Sequence, residues 1–181
     1  MAAILIVGDG PAGLSAALFL SKNGHDVTVF GQNETAMNYA KLYNYLGIVQ
    51  ITGTEFQRIA KAQVSSFGTK LVDAVVESVA QSDGGGFIVK AADEEFRGDY
   101  LVLAAGASKP FADSLGLGEN RQGGVAIDRE GRTEIKGLYY VGWASRPKRT
   151  QAIISAGEGA AAALSILSEE EGKDFHDFDT P

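Results

Sequence analysis

Residues 3–30 read AILIVGDGPAGLSAALFLSKNGHDVTVF, and this stretch decides the fold. Ala3 to Val7 is a short apolar run rich in branched side chains, the pattern of a parallel strand buried on both faces. Pro11 opens a segment in which Leu14, Ala17, Leu18 and Phe19 recur at helical spacing, and Gly24 closes it, so residues 11–23 are predicted helix. DVTVF at 26–30 is a second strand, and the three elements make one βαβ unit with a right-handed crossover. Between strand and helix, Gly8, Gly10 and Gly13 stand at G-x-G-x-x-G spacing. The first permits a tight turn, the second lets a pyrophosphate approach the backbone, and the third lets helix and strand pack closely. Free N–H groups and the positive end of the helix dipole then favour phosphate. The stretch is read as a nucleotide cradle.

An acidic residue for the ribose hydroxyls belongs at the end of the second strand. That place reads Phe30, Gly31, Gln32, Asn33, Glu34. Glu34 is the carboxylate in reach, Gln32 or Asn33 can hydrogen-bond hydroxyls in its stead, and Glu34 as a plain loop cap is an equal alternative. A second pattern, G-x-G-x-x-A at Gly157, Gly159 and Ala162, lacks a preceding strand and turn. Its glycines are expected at a close backbone contact or a close ligand approach near a helix start.

Further along, residues 31–53 have mixed polarity and three tyrosines (Tyr39, Tyr43, Tyr45) with no clean period, which predicts a long functional loop with one helical turn. Thr54 and Gln57 form a capping-box pattern ahead of a helical stripe at Phe56, Ile59, Ala60, Val64 and Phe67, giving a helix over 55–67. KLVDAVVESVAQ, GFIVKAA and EEFRGDYLVLAAG predict an antiparallel meander whose last run, Tyr100 to Ala105, returns to the central sheet. GVAID is read as a small strand, GLYYVG as a final buried strand and QAIISAGEGAAAALSILSEEE as a closing helix.

The chain has 181 residues, 45% of them hydrophobic, enough for a substantial core. One domain over 1–167 is expected, with a solvated acidic tail at 168–181. A net charge of -7 argues against nucleic acid or an anionic membrane as partner. With no cysteine, the sequence excludes disulfides, thiolate metal sites and an internal dithiol relay. His25 falls in a turn and His176 in the tail, so no metal site is expected. The N-terminus enters a strand without a basic flank and no apolar run is read as membrane-spanning, so the cytoplasm is the expected location.

In order along the chain, the opening βαβ unit, the helix ending SSFG, LVLAAGASKP at 101–110, GLYYVGWAS at 137–145 and TQAIISAGEGAAAAL at 150–164 resemble the flavin-binding domain of thioredoxin reductases and related pyridine nucleotide-disulfide oxidoreductases. The resemblance covers nearly the whole chain. It implies an α/β, Rossmann-like FAD-binding domain with a central parallel sheet and a small antiparallel β-meander, and it names FAD over NAD. It implies that Gly8, Gly10, Pro11, Ala12 and Gly13 hold the pyrophosphate, that Ala105 and Gly106 lie near the adenosine side, and that Gly142 approaches the ribityl chain. Gln151, Ala152 and Ile153 would face the flavin ring, where backbone groups and a helix dipole stabilise negative charge on the reduced ring.

Three departures from that family matter. Trp143 replaces the acidic residue of the second flavin fingerprint. The glycine pair after the second strand is replaced by AMNYAKLYNYLG at 36–47. The NADPH domain that the family inserts between the LVLAAGA and GLYYVG strands is missing, because the connection over 108–137 is too short to hold it.

The leading expectation is a flavoprotein oxidoreductase that exchanges electrons through FAD with a separate donor or acceptor, NAD(P)H or a redox partner protein. No catalytic residue is assigned. Tyr39, Tyr43, Trp143 and Gln151 are candidates near the ring, although packing is the simpler role for each aromatic. The alternatives are a non-catalytic flavin-binding, nucleotide-binding or protein-interaction module of the same ancestry, and a weaker NAD-binding reading. RPKR at 146–149 is either solvated surface or a guide for an acidic donor or dinucleotide phosphate. A homodimer is expected, since loss of the second domain exposes surface.

Overall fold

The computed structural model describes residues 1–107 and 109–179. Ser108, at the start of the expected connection, and Thr180 and Pro181 in the tail lie outside them. The chain runs through β1 (Ala3–Val7), α1 (Pro11–Lys22), β2 (Asp26–Phe30), a 3-10 turn (Ala36–Tyr39), β3 (Lys41–Leu42), β4 (Ile51–Thr52), α2 (Gly53–Ser66) and β5 (Lys70–Val72). It continues with β6 (Val76–Gln81), β7 (Phe87–Ala91), β8 (Glu94–Gly98), β9 (Tyr100–Leu103), α3 (Pro110–Ser114), β10 (Leu138–Tyr140), a second 3-10 turn (Trp143–Ser145) and α4 (Ala152–Glu171).

Five strands form a parallel sheet in the order β10-β9-β1-β2-β5. A strand buried on both faces needs apolar residues at successive positions, and the alternation of side chains then splits them between two cores. Ile4, Ile6, Val27, Val29, Val102 and Tyr139 face α1, α2 and α4. Leu5, Val7, Phe30, Leu101, Leu103 and Tyr140 face the antiparallel meander β6-β7-β8, which supplies Val79, Phe87 and Val89. The result is three layers of helices, parallel sheet and meander, the Rossmann-like architecture expected from the sequence.

Local differences have local causes. Lys70–Val72 belongs to the parallel sheet, paired with β2 at its edge, and not to the meander, because Thr28, Val29 and Phe30 offer an open pairing edge. The helix α2 starts earlier than read, because Thr52 is its N-cap and its hydroxyl accepts from the Glu55 N–H at 3.3 Å. Gln57 instead turns inward. GVAID forms no strand, only a bridge between Glu119 and Val125. The expected boundary at 167/168 falls inside α4, and beyond the helix Asp177 pairs with Lys22 at 2.9 Å while Phe175 packs on the helical core.

The helix α4 also corrects the reading that no run is long enough for a bilayer, since by length and composition alone it is. Here Ala162, Ala163, Ile166 and Leu167 are buried in the helical core. Tyr139 lies beneath it, its hydroxyl hydrogen-bonded with Ser165 and Glu169, and burial pushes its pKa up to about 12.

The small residues of α4 set how closely it meets α1. A Cβ added at Gly159 would lie 2.0 Å from the Ala12 carbonyl oxygen, whereas one at Gly157 would meet nothing within 4 Å. Gly159→Ala should therefore destabilise the fold by about 1–3 kcal/mol. Gly157→Ala should stabilise it by about 0.5–1 kcal/mol. Thermal unfolding of the two variants checks the opposite signs.

Candidate functional site

Parallel α/β sheets present their sites at the carboxyl ends of the strands, where the strand order reverses. In this sheet β1 sends the chain one way to β2 and β5, and the later strands β9 and β10 lie on its other side. A groove of about 800 Å³ opens at that point. Its floor is the ends of the strands: Val7 and Gly8 after β1, Phe30 and Gly31 at β2, Ala104 to Gly106 after β9, and Gly142 after β10.

The glycines of the first turn divide by function. Gly8 has φ of +112°, and a Cβ there would stand 2.2 Å from the Ala104 carbonyl oxygen. A Cβ on Gly13 would stand 1.9 Å from the Gly8 oxygen. These two let the loop lie flat against β9 and let α1 rest on β1. Gly10 differs, because the nearest atom to its missing Cβ is the Thr35 hydroxyl oxygen at 3.4 Å. The space over Gly10 belongs to the groove.

Two helices begin at this groove, and neither caps its own N–H groups. The N-cap of α1 is Gly10 and that of α4 is Gln151; neither makes a side-chain cap bond, and neither helix has an acidic residue in its first turn. Pro11 and Ala12 from α1, and Gln151, Ala152 and Ser155 from α4, line one cavity. Uncapped helix N-termini present orphan donors and partial positive charge, so the pair makes a groove suited to an elongated anion.

Around this centre stand the other sequence-selected residues. Gln32 and Glu34 line the β2 end, Ala105 and Gly106 the β9 end, and Gly142 and Trp143 the β10 end. Trp143 is 40% exposed. The Gly142 N–H donates to Glu158 Oε2 at 2.8 Å, and Glu158 also binds Arg146 Nε at 2.6 Å. Glu158 thus ties the turn after β10 to α4 and neutralises one cation of the RPKR cluster. Lys148 and Arg149 make no ion pair among the described residues.

Two of the selected residues stand apart. Gly13 serves packing beneath the loop, and Ile153 does not line the groove because the first turn of α4 carries it outward, 37% exposed. Tyr39 and Tyr43 also stay outside, at 94% and 63% exposed. The loop that bears them reaches the site through other residues. Met37 and Leu42 line the groove, and Asn44 Nδ2 donates to Gln151 Oε1 at 3.0 Å.

Asp9 carries no signal of its own in the sequence. It lies inside the fingerprint at a position the motif leaves open, and only the fold shows its surroundings. Its carboxylate is buried, accepts from the Asn33 N–H at 2.9 Å and pairs with Lys61 Nζ of α2 at 2.7 Å. Gln57 Nε2 donates to the Asp9 backbone oxygen at 2.8 Å. The two α2 side chains hold the loop from behind.

Residues 2–111 match the pyridine nucleotide-disulphide oxidoreductase family, and the chain belongs to it. It is a family of FAD-dependent flavoproteins. The chain is 30% identical over 108 residues to the thioredoxin reductase of Aquifex aeolicus, covering 58% of this chain and 33% of that protein. It is 26% identical over 182 residues to the dihydrolipoyl dehydrogenase of Halobacterium salinarum, covering 95% of this chain and 35% of that protein. The chain therefore spans about a third of the length of these curated relatives.

The fold superposes on a thioredoxin reductase from Gloeobacter violaceus with a TM-score of 0.89 at 18% identity, over 99% of each chain. The atypical thioredoxin reductase of Desulfovibrio vulgaris Hildenborough gives 0.86 at 19% identity, over 95% of this chain and 99% of that one.

The division among the glycines is testable. Gly10→Ala should keep the melting temperature within about 2 °C of the parent while weakening nucleotide binding about tenfold or more, because it obstructs only the ligand's approach. Gly8→Ala and Gly13→Ala should lower the melting temperature of the ligand-free protein. Calorimetric scans beside a nucleotide titration separate the two effects.

Proposed function

We propose that this chain binds FAD across the carboxyl ends of β1, β2, β9 and β10 and serves as the flavin-bearing part of an oxidoreductase. The observation that carries the reading is the convergence of two uncapped helix N-termini on one groove. The cradle also has room for a pyrophosphate, since Gly10 leaves the close approach open and Gly8 and Gly13 let the loop and helix pack flat.

In this reading the first turn of α1 holds the pyrophosphate with backbone donors, and Ala105 and Gly106 flank the adenosine side. Gly142 borders the ribityl chain. Gln151 and Ala152 place the start of α4 at the isoalloxazine, where its partial positive charge favours an anionic reduced ring. Asn44 orients the Gln151 amide there. Trp143 offers an indole face in place of a carboxylate, so contact with the flavin on that side is apolar. Bound FAD supplies hydride and single-electron chemistry that no side chain provides.

The donor and acceptor are separate from this stretch of chain. The described residues 109–137 of the connection hold one short helix and turns, and the sequence has no thiol to relay electrons. NAD(P)H or a redox protein would reach the flavin on the side left open by that short connection. The loss of the fingerprint carboxylate at Trp143 supports a second reading, a flavin-binding module without turnover.

Anaerobic visible spectra distinguish the two. The proposal expects flavin bands near ~450 nm that bleach with dithionite and with NADH, NADPH or a reduced protein partner. Bands that bleach only with dithionite favour the module. A colourless protein that takes up no added FAD overturns the flavin assignment.

A further inference from the structure

The geometry assigns to Asp9 the recognition of the adenosine ribose, a task that the sequence pattern places at the end of β2. This inference deepens the flavin reading and rests on it.

Gly31 is the first residue past β2, where an acidic side chain would reach ribose hydroxyls. A Cβ built on Gly31 would stand 2.5 Å from the Asp9 Cγ and 2.6 Å from its Oδ1. The carboxylate of Asp9 thus occupies the space in which a side chain at position 31 would begin. The φ of Gly31 lies outside the left-handed region, so its backbone accepts other residues. A side chain at position 31 would have to displace the Asp9 carboxylate. A carboxylate can come from either place, and in this chain it comes from the loop.

The two oxygens of Asp9 have different employments. Oδ2 accepts from both Lys61 Nζ and the Asn33 N–H. Oδ1 has no hydrogen-bond partner among the described residues, leans over Gly31 and belongs to a residue that lines the groove. The fixed oxygen holds the rotamer, and the other remains free to accept from a hydroxyl. A pre-positioned charged acceptor is a strong hydrogen-bond partner, because no side-chain freedom is lost on binding.

Lys61 has a second effect. A bare carboxylate one residue from the pyrophosphate cradle would repel the phosphates, and the ammonium at 2.7 Å offsets that charge. The carboxylate still disfavours a phosphoryl group on the same ribose, so the subsite selects a nucleotide with free ribose hydroxyls. Glu34, the carboxylate favoured from sequence, lines the groove but is not needed for this contact.

The test uses a ligand-side deletion so that it does not depend on one variant. ADP, 2′-deoxy-ADP and 3′-deoxy-ADP are titrated calorimetrically into the intact chain, alongside FAD followed by its fluorescence, for the parent, Asp9→Ala and Asp9→Asn. The parent should bind ADP at least about tenfold more tightly than one of the deoxy analogues, as expected for a hydrogen bond to a charged group. In Asp9→Ala that preference should fall to within about twofold, and Asp9→Ala combined with Gly31→Glu should restore it.

A purely structural role would lower the melting temperature of Asp9→Ala but leave the ratio of ADP to deoxy-ADP affinity unchanged, and that result overturns the inference. So does a parent protein that binds FAD or ADP without discriminating the hydroxyls. A parent that binds ADP with the predicted preference but takes no FAD supports Asp9 and rejects the flavin reading. One that binds neither rejects both.

Discussion

Three backbone contacts that only glycine permits hold the site together. The missing side chain of Gly159 lets α4 rest on the Ala12 carbonyl, that of Gly13 lets α1 rest on Gly8, and that of Gly8 lets the loop rest on the Ala104 carbonyl at the end of β9. In sequence they run from the first turn to the last helix, and in space they form one line from α4 through α1 and β1 to β9. The line matters because it brings the uncapped starts of α1 and α4 together at one groove. A methyl group at any of the three would push a helix start away and separate the two partial charges.

The electrostatics follow from that placement. The chain carries a net charge of -7, yet its groove is built from helix N-termini without acidic residues in their first turns. The Asp9 carboxylate is tied down by Lys61 and that of Glu158 by Arg146, which leaves Glu34 as the groove-lining carboxylate without an ion pair among the described residues. An anionic dinucleotide in the groove would thus meet local positive potential inside an acidic protein, and the acidic exterior discourages extended polyanions. The departures from the family pattern fit the same scheme. Trp143 removes one negative charge from the β10 end, and the carboxylate near β2 is supplied by the loop instead of the strand.

Much of this was legible in the sequence because it is local. The βαβ unit, the fingerprint glycines and the closing helix depend on spacing within a few residues, and the groove gathers the chosen residues apart from Gly13, Ile153, Tyr39 and Tyr43. What was not legible depends on contacts between distant segments. Lys70–Val72 looks like the start of the meander because it is continuous with it, and only pairing with β2 identifies it as an edge of the parallel sheet. Thr52 and Thr54 both offer a cap, and the choice turned on Gln57 being drawn inward by the Asp9 backbone oxygen. Asp9 occupies a position at which the motif accepts any residue, so its burial against α2 could not be seen. The motif describes the backbone at Gly8 and Gly10, and the side chain between them is left open by it. The extent of α4 is legible, but its alanines and glycines look weakly apolar one by one and yet sum to a helix apolar and long enough to cross a bilayer by length and composition alone.

On the proposed reading, the residues of this chain suffice to cradle FAD. The most direct measurement is the stoichiometry of FAD binding to the purified chain, stripped of nucleotide and titrated with FAD and, separately, with FMN. Saturation at one FAD per chain is expected, with much weaker binding of FMN, which lacks the second phosphate held by the first turn of α1 and the adenosine that meets Asp9, Ala105 and Gly106. Equal affinity for FAD and FMN, or no saturable binding of either, would contradict it.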